Sequence, residues 1–229
     1  ADVTAYIPNR FQDGYGPNLA AYQRLIADGA QVIVTVDNGV SGHEAVAYAM
    51  SQGVDVIITD HHEMGPTLPD AYAIVHPRHP EGDYPFADLS GVGVAFKLAQ
   101  ALLTDGEPVQ DKSELPTEML DLVALGEIAD MVSLTDENRT LVSWGLKQMA
   151  ESPRPGIAAL LKSAGQLPEQ PIISETVGFK LAPRLNAVGR LGDAQLALDL
   201  LLTQSPDDAT ALATQVEAIN AQRQEKIGR

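Results

Sequence analysis

The sequence predicts an α/β fold in which a mostly parallel β-sheet, flanked by helices, is followed by a helical region that ends in a long helix. Over residues 1–90, short apolar runs alternate with helix-like segments, a rhythm typical of parallel strands joined by crossover helices. Asp37 and Asp60 end two of these runs, and the stretch between them is long enough for one right-handed βαβ connection. From about residue 91 the apolar residues recur with the 3.6-residue period of helices.

The elements of the first part follow one another in a regular order. Strands are predicted where apolar and β-branched residues cluster, and we expect both of their faces to be buried. Each of the two helices is followed by a glycine, Gly29 or Gly53, and glycine commonly ends a helix. The predicted strands are residues 3–8, 32–36, 54–59 and 71–75, and the predicted helices are residues 18–28 and 42–52.

The second part is predicted to be helical apart from one loop. Residues 104–116 are polar, contain two prolines and are expected to lie on the surface. The helix that begins near Asp207 has no clear stop before the last residues, so we expect the chain to be a piece of a longer protein. We divide it into an α/β part (1–90), a helical part (91–206) and the start of a helix that connects to a further domain (207–229). The predicted helices of the helical part are residues 93–103, 118–129, 139–150 and 157–164.

The composition restricts the kinds of site and partner that the protein can have. The chain has 229 residues, is 45% hydrophobic, lacks cysteine and has a formal net charge of −16. The lack of cysteine excludes disulfides and thiolate metal sites, and it fits the cytoplasmic location that we expect. No apolar run approaches the roughly 18 residues of a membrane span, so no membrane partner is expected. With 15 Lys and Arg residues, any contact with nucleic acid must be concentrated in one place.

Metal-binding side chains follow two of the predicted strands. Asp60, His61 and His62 come directly after one strand, and Asp37 ends the strand before it. Because parallel sheets bind ligands at the carboxyl ends of their strands, we expect these side chains at one edge of the sheet. Imidazole suits zinc, manganese and iron, and carboxylate suits manganese and magnesium. The pattern indicates a metal site, although Asp37 taken alone is more typical of a turn that enters a helix.

Asp130 and the remaining histidines carry less information. Asp130 lies near the end of an apolar helix, where it is either an exposed residue or a ligand that points inward. Both interpretations stay open on the local sequence. His43, His76 and His79 lie in predicted loops or at helix starts, where histidines are usually ordinary surface residues.

Two arginine-containing segments are candidates for phosphate binding. Arg10 follows the first predicted strand and precedes a glycine-rich turn, and Arg184, Asn186 and Arg190 lie close together around Gly189. The forked donors of arginine match phosphate oxygens, and glycine lets backbone amides approach an anion. The alternative for either segment is a tight turn with solvated arginines.

Together these motifs resemble the DHH phosphoesterase superfamily. The similarity runs from about residue 3 to the end of the chain. The segments around Arg10 and at residues 183–190 narrow it to the branch that degrades single-stranded DNA. The motifs that carry the resemblance are Val34-Thr-Val-Asp37-Asn-Gly, Thr59-Asp60-His61-His62 and Gly126-Glu-Ile-Ala-Asp130, in that order.

The resemblance implies a mechanism and a role for each residue of the site. Members of the family hydrolyse phosphodiesters with two divalent cations, Mn²⁺ or Mg²⁺, which activate a water molecule. Asp37 would be shared by both cations, and His61 and Asp130 would complete the shell of one. His62 would face the scissile phosphate, and Asp60 would support the ligands. The residues implied in contacts with DNA phosphates are Arg10, Arg184, Asn186 and Arg190.

The function that the resemblance implies is 5′-to-3′ exonuclease action on single-stranded DNA in recombination and repair. Single-stranded DNA would be the main partner, with a single-strand-binding protein or a helicase as further partners. Three alternatives stay open. The chain could be a family member for another substrate, namely an oligoribonucleotide, a cyclic dinucleotide or a pyrophosphate. It could be a non-catalytic relative that binds DNA or a partner, or an unrelated acidic α/β binding domain.

The chain departs from the family pattern in ways that affect its expected activity. We expect the first family motif, a strand that ends in Asp-x-Asp, to lie before Val3, and the domain that follows in the family to lie beyond residue 229. Gly192 stands where the family often has a second aspartate before Asp193. We therefore expect the chain alone to hold one cation weakly and to have little or no activity.

Overall fold

A parallel β-sheet forms the first part of the computed structural model. The structure describes residues 2–9, 13–14, 16–104 and 117–227, and it describes residue 227 by its backbone alone. Its strands are β1 (Val32–Val36), β2 (Asp55–Thr59) and β3 (Ala73–Val75), in the order β1-β2-β3. Both pairs are parallel, and Val36 lies opposite Thr59. The residues after β1 and β2 therefore leave the sheet side by side, as the sequence predicts.

Two helices cover one face of this sheet. They are α1 (Leu19–Ala27), which starts at the cap residue Asn18, and α2 (His43–Ser51). The other face of β1 is half-exposed, so the expectation that this strand is buried on both faces is wrong. Residues 32, 34 and 36 alternate with the buried residues 33 and 35, so they lie on the face opposite the core under α1 and α2 and stay about half-exposed there. The core under the helices contains Tyr22, Ile33, Val46, Val56 and Ile58.

The strand predicted at residues 3–8 is not formed. Residues 2–9 have no strand, and Val3 is 82% exposed. A single extended segment without a hydrogen-bonding neighbour is not stable as a strand, and none of the described strands pairs with this one.

The second part is helical, as predicted from its apolar period. After α3 (Gly91–Leu103) come a 3₁₀ turn (Thr117–Met119), α4 (Leu120–Ala129), α5 (Asp136–Glu151) and α6 (Pro155–Ser163). Then follow α7 (Ser174–Thr176), a π-helical turn (Val177–Leu181), α8 (Ala182–Leu191), α9 (Gln195–Leu202) and α10 (Pro206–Ile227). Most of the loop predicted at residues 104–116 lies outside the described residues. No helix in the described ranges is long and apolar enough to span a membrane.

Helix α4 is central to the helical part because nearly all of its sides are buried. It packs mainly against α5, and α10 packs against α6, α8 and α9. The long C-terminal helix is thus part of a shared core and does not merely project from it. Residues that build this core include Leu125, Ile128, Met149, Leu160, Leu181, Leu200 and Val216.

The segment with the second set of arginines is a helix, which the sequence interpretation as a tight turn did not anticipate. Pro183 lies in the first turn of α8, where a missing N–H group is tolerated. The preceding π-helical turn connects α7 to α8, with the backbone N–H of Ala182 donating to the carbonyl of Val177. Proline and glycine in residues 183–189 therefore do not interrupt the helix.

Candidate metal centre

The chain turns sharply after β1 and so brings the Asp37 side chain to the carboxyl edge of the sheet. Asp37 has a left-handed backbone (φ 62°), and its N–H group donates to the carbonyl of Thr59 at 3.0 Å. Asp and Asn tolerate this conformation better than most residues. Gly39 follows with φ 126°, and a Cβ atom there would lie 2.7 Å from Thr35 Oγ1 and 2.8 Å from Ile58 Cγ2. The motif Asp37-Asn-Gly is thus required by the turn as well as by the site.

Asp60 is the structural anchor of the motif after β2. Its side chain is almost fully buried, and Oδ2 accepts the N–H of Val40 at 3.0 Å. Oδ1 accepts the N–H groups of His61 and His62 at 2.8 and 3.2 Å. Burial alone would raise the pKa of Asp60, but the hydrogen bonds from Val40 and from the two histidines outweigh it and lower the pKa. Asp60 is therefore an ionised acceptor that fixes the backbone of the two histidines.

The same carboxylate orients the His62 ring. His62 Nδ1 lies 2.7 Å from Asp60 Oδ1. Because an ionised carboxylate can only accept hydrogen bonds, the ring donates from Nδ1, which leaves Nε2 for another partner. The His62 side chain is about half-exposed, so a molecule that binds at this edge can reach it.

His61 points into a cluster of carboxylates. Its Nε2 atom lies 3.1 Å from Asp37 Oδ1 and 3.5 Å from Asp130 Oδ2. The geometry of these two contacts is not that of a hydrogen bond. The buried Nε2 atom of His61 therefore has no hydrogen-bond partner among the described residues. The Asp37 carboxylate raises the pKa of His61, partial burial opposes this, and Asp130 adds to the increase. A buried nitrogen facing two carboxylate oxygens without a hydrogen bond is the arrangement expected of ligands around a cation.

Asp130 reaches the cluster from the end of α4. It is the C-cap residue of that helix, and the chain turns away directly afterwards at Met131, which has φ 59°. Its carboxylate is partly exposed and its Oδ2 atom faces His61. Asp130 is exposed while its carboxylate lies beside His61, so the structure combines features of the two interpretations left open by the sequence.

These residues offer a mixed set of nitrogen and oxygen ligands. Asp37, His61 and His62 each present one ligand atom, and these atoms lie within 4.8 Å of one another. Asp130 adds a carboxylate through its contact with His61. Carboxylates with an imidazole suit Mn²⁺, and the carboxylates also suit Mg²⁺. The residues present therefore fit a divalent cation, with Asp37, His61 and Asp130 as the residues that could hold it.

Comparison with known proteins identifies the family to which this chain belongs. Residues 1–127 match the N-terminal domain of the DHH family. The chain belongs to the DHH family. The resemblance seen in the sequence motifs is confirmed, and the motifs after β1 and β2 are those that converge in the structure.

Relatives of this DHH-family chain include exonucleases. It is 47% identical over 230 residues to the single-stranded-DNA-specific exonuclease RecJ of Bacillus subtilis (strain 168), covering 100% of this chain and 28% of that protein. It is 44% identical over 232 residues to the RecJ of Escherichia coli (strain K12), covering 98% of this chain and 40% of that protein. The chain thus spans less than half the length of these curated relatives.

A solved structure supports the fold. The crystal structure of exonuclease RecJ bound to manganese matches with a TM-score of 0.84 at 36% identity, covering 98% of this chain and 55% of that chain. The predicted α/β fold, with a parallel sheet followed by helices, is therefore confirmed.

The phosphate-binding candidates of this DHH-family chain lie in different environments. Arg10 lies outside the described residues. Arg184 Nε donates to Glu217 Oε2 on α10 at 2.5 Å, and Nη1 donates to the carbonyl of Lys180 at 2.7 Å. Asn186 and Arg190 are exposed on α8. Arg184 is thus engaged in helix packing, whereas Asn186 and Arg190 are accessible.

Two residues after β3 contact the backbone of the histidines at the carboxyl edge of the sheet, and the sequence analysis did not identify them as part of the site. His76 was expected on the surface but is only 7% exposed, and its Nε2 atom lies 2.8 Å from the carbonyl oxygen of His62. Arg78 donates from Nη2 to the carbonyl oxygen of His61 at 2.5 Å. The available signal was their position directly after a third apolar run, at the edge that holds Asp37 and the DHH motif. His43 is exposed, as expected.

The sequence analysis also did not identify a buried acid in the helix that ends at Asp130. Glu127 in α4 is fully buried, and both of its oxygens lie 3.2 Å from the N–H of Ser90 at the start of α3. Burial raises the pKa of Glu127 to about 7, although the hydrogen bonds from Ser90 oppose the increase. Glu127 connects α4, which carries Asp130, to the helix that packs against Asp37.

Proposed function

We propose that the protein is a divalent-metal-dependent exonuclease that hydrolyses phosphodiester bonds of single-stranded DNA from the 5′ end. The observation that carries this proposal is the orientation of the buried His61 Nε2 atom, which faces Asp37 and Asp130 without a hydrogen bond. The substrate comes from the RecJ relatives, which are single-stranded-DNA-specific exonucleases at up to 47% identity over the whole chain. Recombination and repair are the processes in which we expect it to act.

The protein residues have separate tasks in this proposal. Asp37, His61 and Asp130 would hold Mn²⁺ or Mg²⁺, with Asp37 shared by a second cation. Bound divalent cations supply Lewis-acid stabilisation of phosphate oxygens and lower the pKa of a coordinated water molecule. The left-handed turn at Asp37 keeps its carboxylate at the strand edge, and the end of α4 delivers Asp130. The site is thus built on a strand end and a helix end, two rigid elements.

His62 would act on the substrate itself. Asp60 holds its Nδ1–H group, so the Nε2 atom of the half-exposed ring would donate a hydrogen bond to a phosphate oxygen when the ring is doubly protonated. A hydrogen bond to the oxygen that gains negative charge during hydrolysis would stabilise the transition state. Asp60 would serve as a positioning residue, since its buried carboxylate has no access to solvent.

The test compares Asp37→Asn with Asp55→Asn in the protein at its complete natural length. Asparagine keeps the left-handed backbone at residue 37 but removes the charge, and Asp55 is an exposed carboxylate at the opposite end of β2. We expect Asp37→Asn to reduce Mn²⁺-dependent digestion of a labelled single-stranded oligonucleotide about 100-fold or more, and Asp55→Asn to leave it unchanged. Equal activity of both variants would refute the assignment of Asp37.

The substrate class is tested in parallel on the unmodified protein. Single-stranded DNA should be digested, and duplex DNA, an oligoribonucleotide, a cyclic dinucleotide and pyrophosphate should be digested poorly or not at all. An oligonucleotide blocked at its 5′ end should resist digestion, whereas a 3′ block should have no effect. We also propose that it acts in the cytoplasm, with a single-strand-binding protein or a helicase supplying the strand; co-purification with either would support this.

A further inference from the structure

A cleft opens next to the metal centre on the side of the loop that follows β3. It has a volume of about 240 Å³, and His61 forms the part of its wall that belongs to the cluster described above. Arg78 lines it from the β3 loop, and Met131 and Ser133 line it from the turn after α4. A molecule held at His61 would therefore extend into this cleft.

Arg78 is held in place at both ends of the residue. Its backbone N–H donates to His76 Nδ1 at 3.0 Å, and the buried His76 ring contacts the carbonyl oxygen of His62 through Nε2. Its Nη2 atom donates to the carbonyl oxygen of His61. These contacts fix the guanidinium beside the metal-binding histidine and reduce the conformational entropy that it would lose on binding a ligand.

Most of the donors of Arg78 remain available. A guanidinium has five N–H donors in a planar fork, and a single contact with the His61 carbonyl oxygen uses one. Among the described residues the guanidinium has no carboxylate partner at ion-pair distance, unlike Arg154 with Asp121 and Arg184 with Glu217. Arg78 is also exposed to solvent. An exposed guanidinium with free donors exceeds what anchoring one carbonyl requires, and it is suited to binding an anion.

The negative charge around the site disfavours a second phosphate unless a cation such as Arg78 compensates for it. The chain has a net charge of −16, and Asp88 lines the same cleft. Cations at the metal centre would offset the charge of the phosphate that is being cleaved, but a neighbouring phosphate would face these acids without compensation. A fixed guanidinium is well suited to bind it, because its fork matches two phosphate oxygens.

We propose that Arg78 binds a backbone phosphate of single-stranded DNA in this cleft, next to the phosphodiester held at the metal centre. The inference rests on the proposed function and adds a substrate contact to it. The group that Arg78 would bind is a phosphate with two free oxygen atoms. A DNA strand can supply this group, and so can a free nucleotide. The Arg78 contact would hold the strand while the adjacent bond is cleaved.

The experiment uses Arg78→Gln in the protein at its complete natural length. Glutamine has no charge and no fork, and its amide is two bonds shorter than the guanidinium, so the measurement of Mn²⁺ affinity is needed to separate the anchoring contact from phosphate binding. Lys147→Gln is the control with the same loss of charge, on a side chain of α5 that is mostly exposed. Binding of a fluorescent single-stranded oligonucleotide and of thymidine 5′-monophosphate is measured without divalent metal at several salt concentrations. Mn²⁺ affinity and the KM and kcat of digestion are measured separately.

We expect Arg78→Gln to weaken oligonucleotide binding about tenfold or more and to raise KM more than it lowers kcat. The slope of log affinity against log salt should fall by about 0.7, the loss of one single-strand phosphate contact. Mn²⁺ affinity should not change, and Lys147→Gln should resemble the unmodified protein. Weaker binding of the mononucleotide as well would mean that the subsite also takes a free phosphate group.

Two results would overturn the inference. One is unchanged oligonucleotide affinity and an unchanged salt slope in Arg78→Gln. The other is a parallel loss of Mn²⁺ affinity with an unchanged salt slope, which would assign Arg78 to anchoring His61 alone. If the unmodified protein binds single-stranded DNA but digests none, the proposed function fails, while the binding comparison still decides on Arg78.

Discussion

Gly91 lies so close to Asp37 that a Cβ atom at residue 91 would sit 2.3 Å from Asp37 Oδ1 and 2.4 Å from its Cβ atom. The first residue of α3 is thus in direct contact with the carboxylate at the end of β1. The Asp37 carboxylate thus lies at the N-terminus of a helix, where the backbone N–H groups carry partial positive charge. The contact connects the helical part of the chain to the edge of the sheet that carries the proposed metal site.

The contact predicts that Gly91→Ala displaces Asp37. Either the carboxylate or the start of α3 must move, and we expect Mn²⁺ affinity to fall at least tenfold, together with a loss of roughly 1–3 kcal/mol in the free energy of unfolding. Gly189→Ala is the matched control, because a Cβ atom there meets nothing within 4 Å. It should keep Mn²⁺ affinity and be slightly more stable, since alanine favours a helix. Calorimetric titration and chemical denaturation measure both effects; similar Mn²⁺ affinities in the two variants would contradict this view of the contact.

His61→Ala is expected to separate metal binding from folding. Alanine removes a proposed ligand whose Nε2 atom contributes no hydrogen bond to the fold, so thermal stability without metal should change little. In the protein at its complete natural length, Mn²⁺-dependent nuclease activity and the stabilisation of the protein by Mn²⁺ should be lost. His43→Ala, at an exposed residue of α2, is the control and should retain both. Near-normal turnover of His61→Ala would show that the ligand is misassigned.

The convergence at the strand edge could be foreseen because it depends on local signals. Apolar runs define β1 and β2, parallel pairing aligns their ends, and Asp37 and Asp60 are the residues at those ends. Asp130 could be included only through the family motif, since a helix end does not reveal which way its last side chain points.

The features of the structure that the sequence did not predict depend on contacts between residues that are distant in the sequence. Arg184 pairs with Glu217 on another helix, which no local pattern indicates. A tight turn stayed open for residues 183–190, but the segment is helical, and its Pro183 lies in the first turn of α8, where proline is accepted. The sequence places His76 in a loop, where histidines usually lie on the surface, and does not indicate its partner, the carbonyl group of His62 in a different loop.

The buried Glu127 predicts a pH dependence of stability without metal. Its pKa is about 7 in the folded protein against an ordinary value of 4.5, so the folded state binds the proton more tightly than the unfolded state. The contribution of Glu127 is therefore most favourable below pH 4.5 and is lost as the pH rises toward and through 7, by roughly 3 kcal/mol in total. Glu127→Gln still accepts the Ser90 N–H and should remove this slope, making the protein more stable at pH 8. Denaturation curves between pH 5 and 8 with a chelator test this, and an unchanged slope would contradict it.

Arg184 is predicted to stabilise the packing of α8 on α10 and to contribute little to DNA binding. Its guanidinium forms a two-pronged, partly buried contact with Glu217, a geometry that contributes more than an exposed ion pair. Arg184→Ala and Glu217→Ala should each lower the free energy of unfolding, and the double variant should lose less than their sum, with a coupling of about 1 kcal/mol or more. Arg190→Ala, on the exposed face of the same helix, should leave stability unchanged and weaken binding of a single-stranded oligonucleotide. If Glu217→Ala strengthened DNA binding by releasing Arg184, or if Arg184→Ala weakened DNA binding as much as Arg190→Ala, Arg184 would instead be a phosphate contact that leaves Glu217 when DNA arrives.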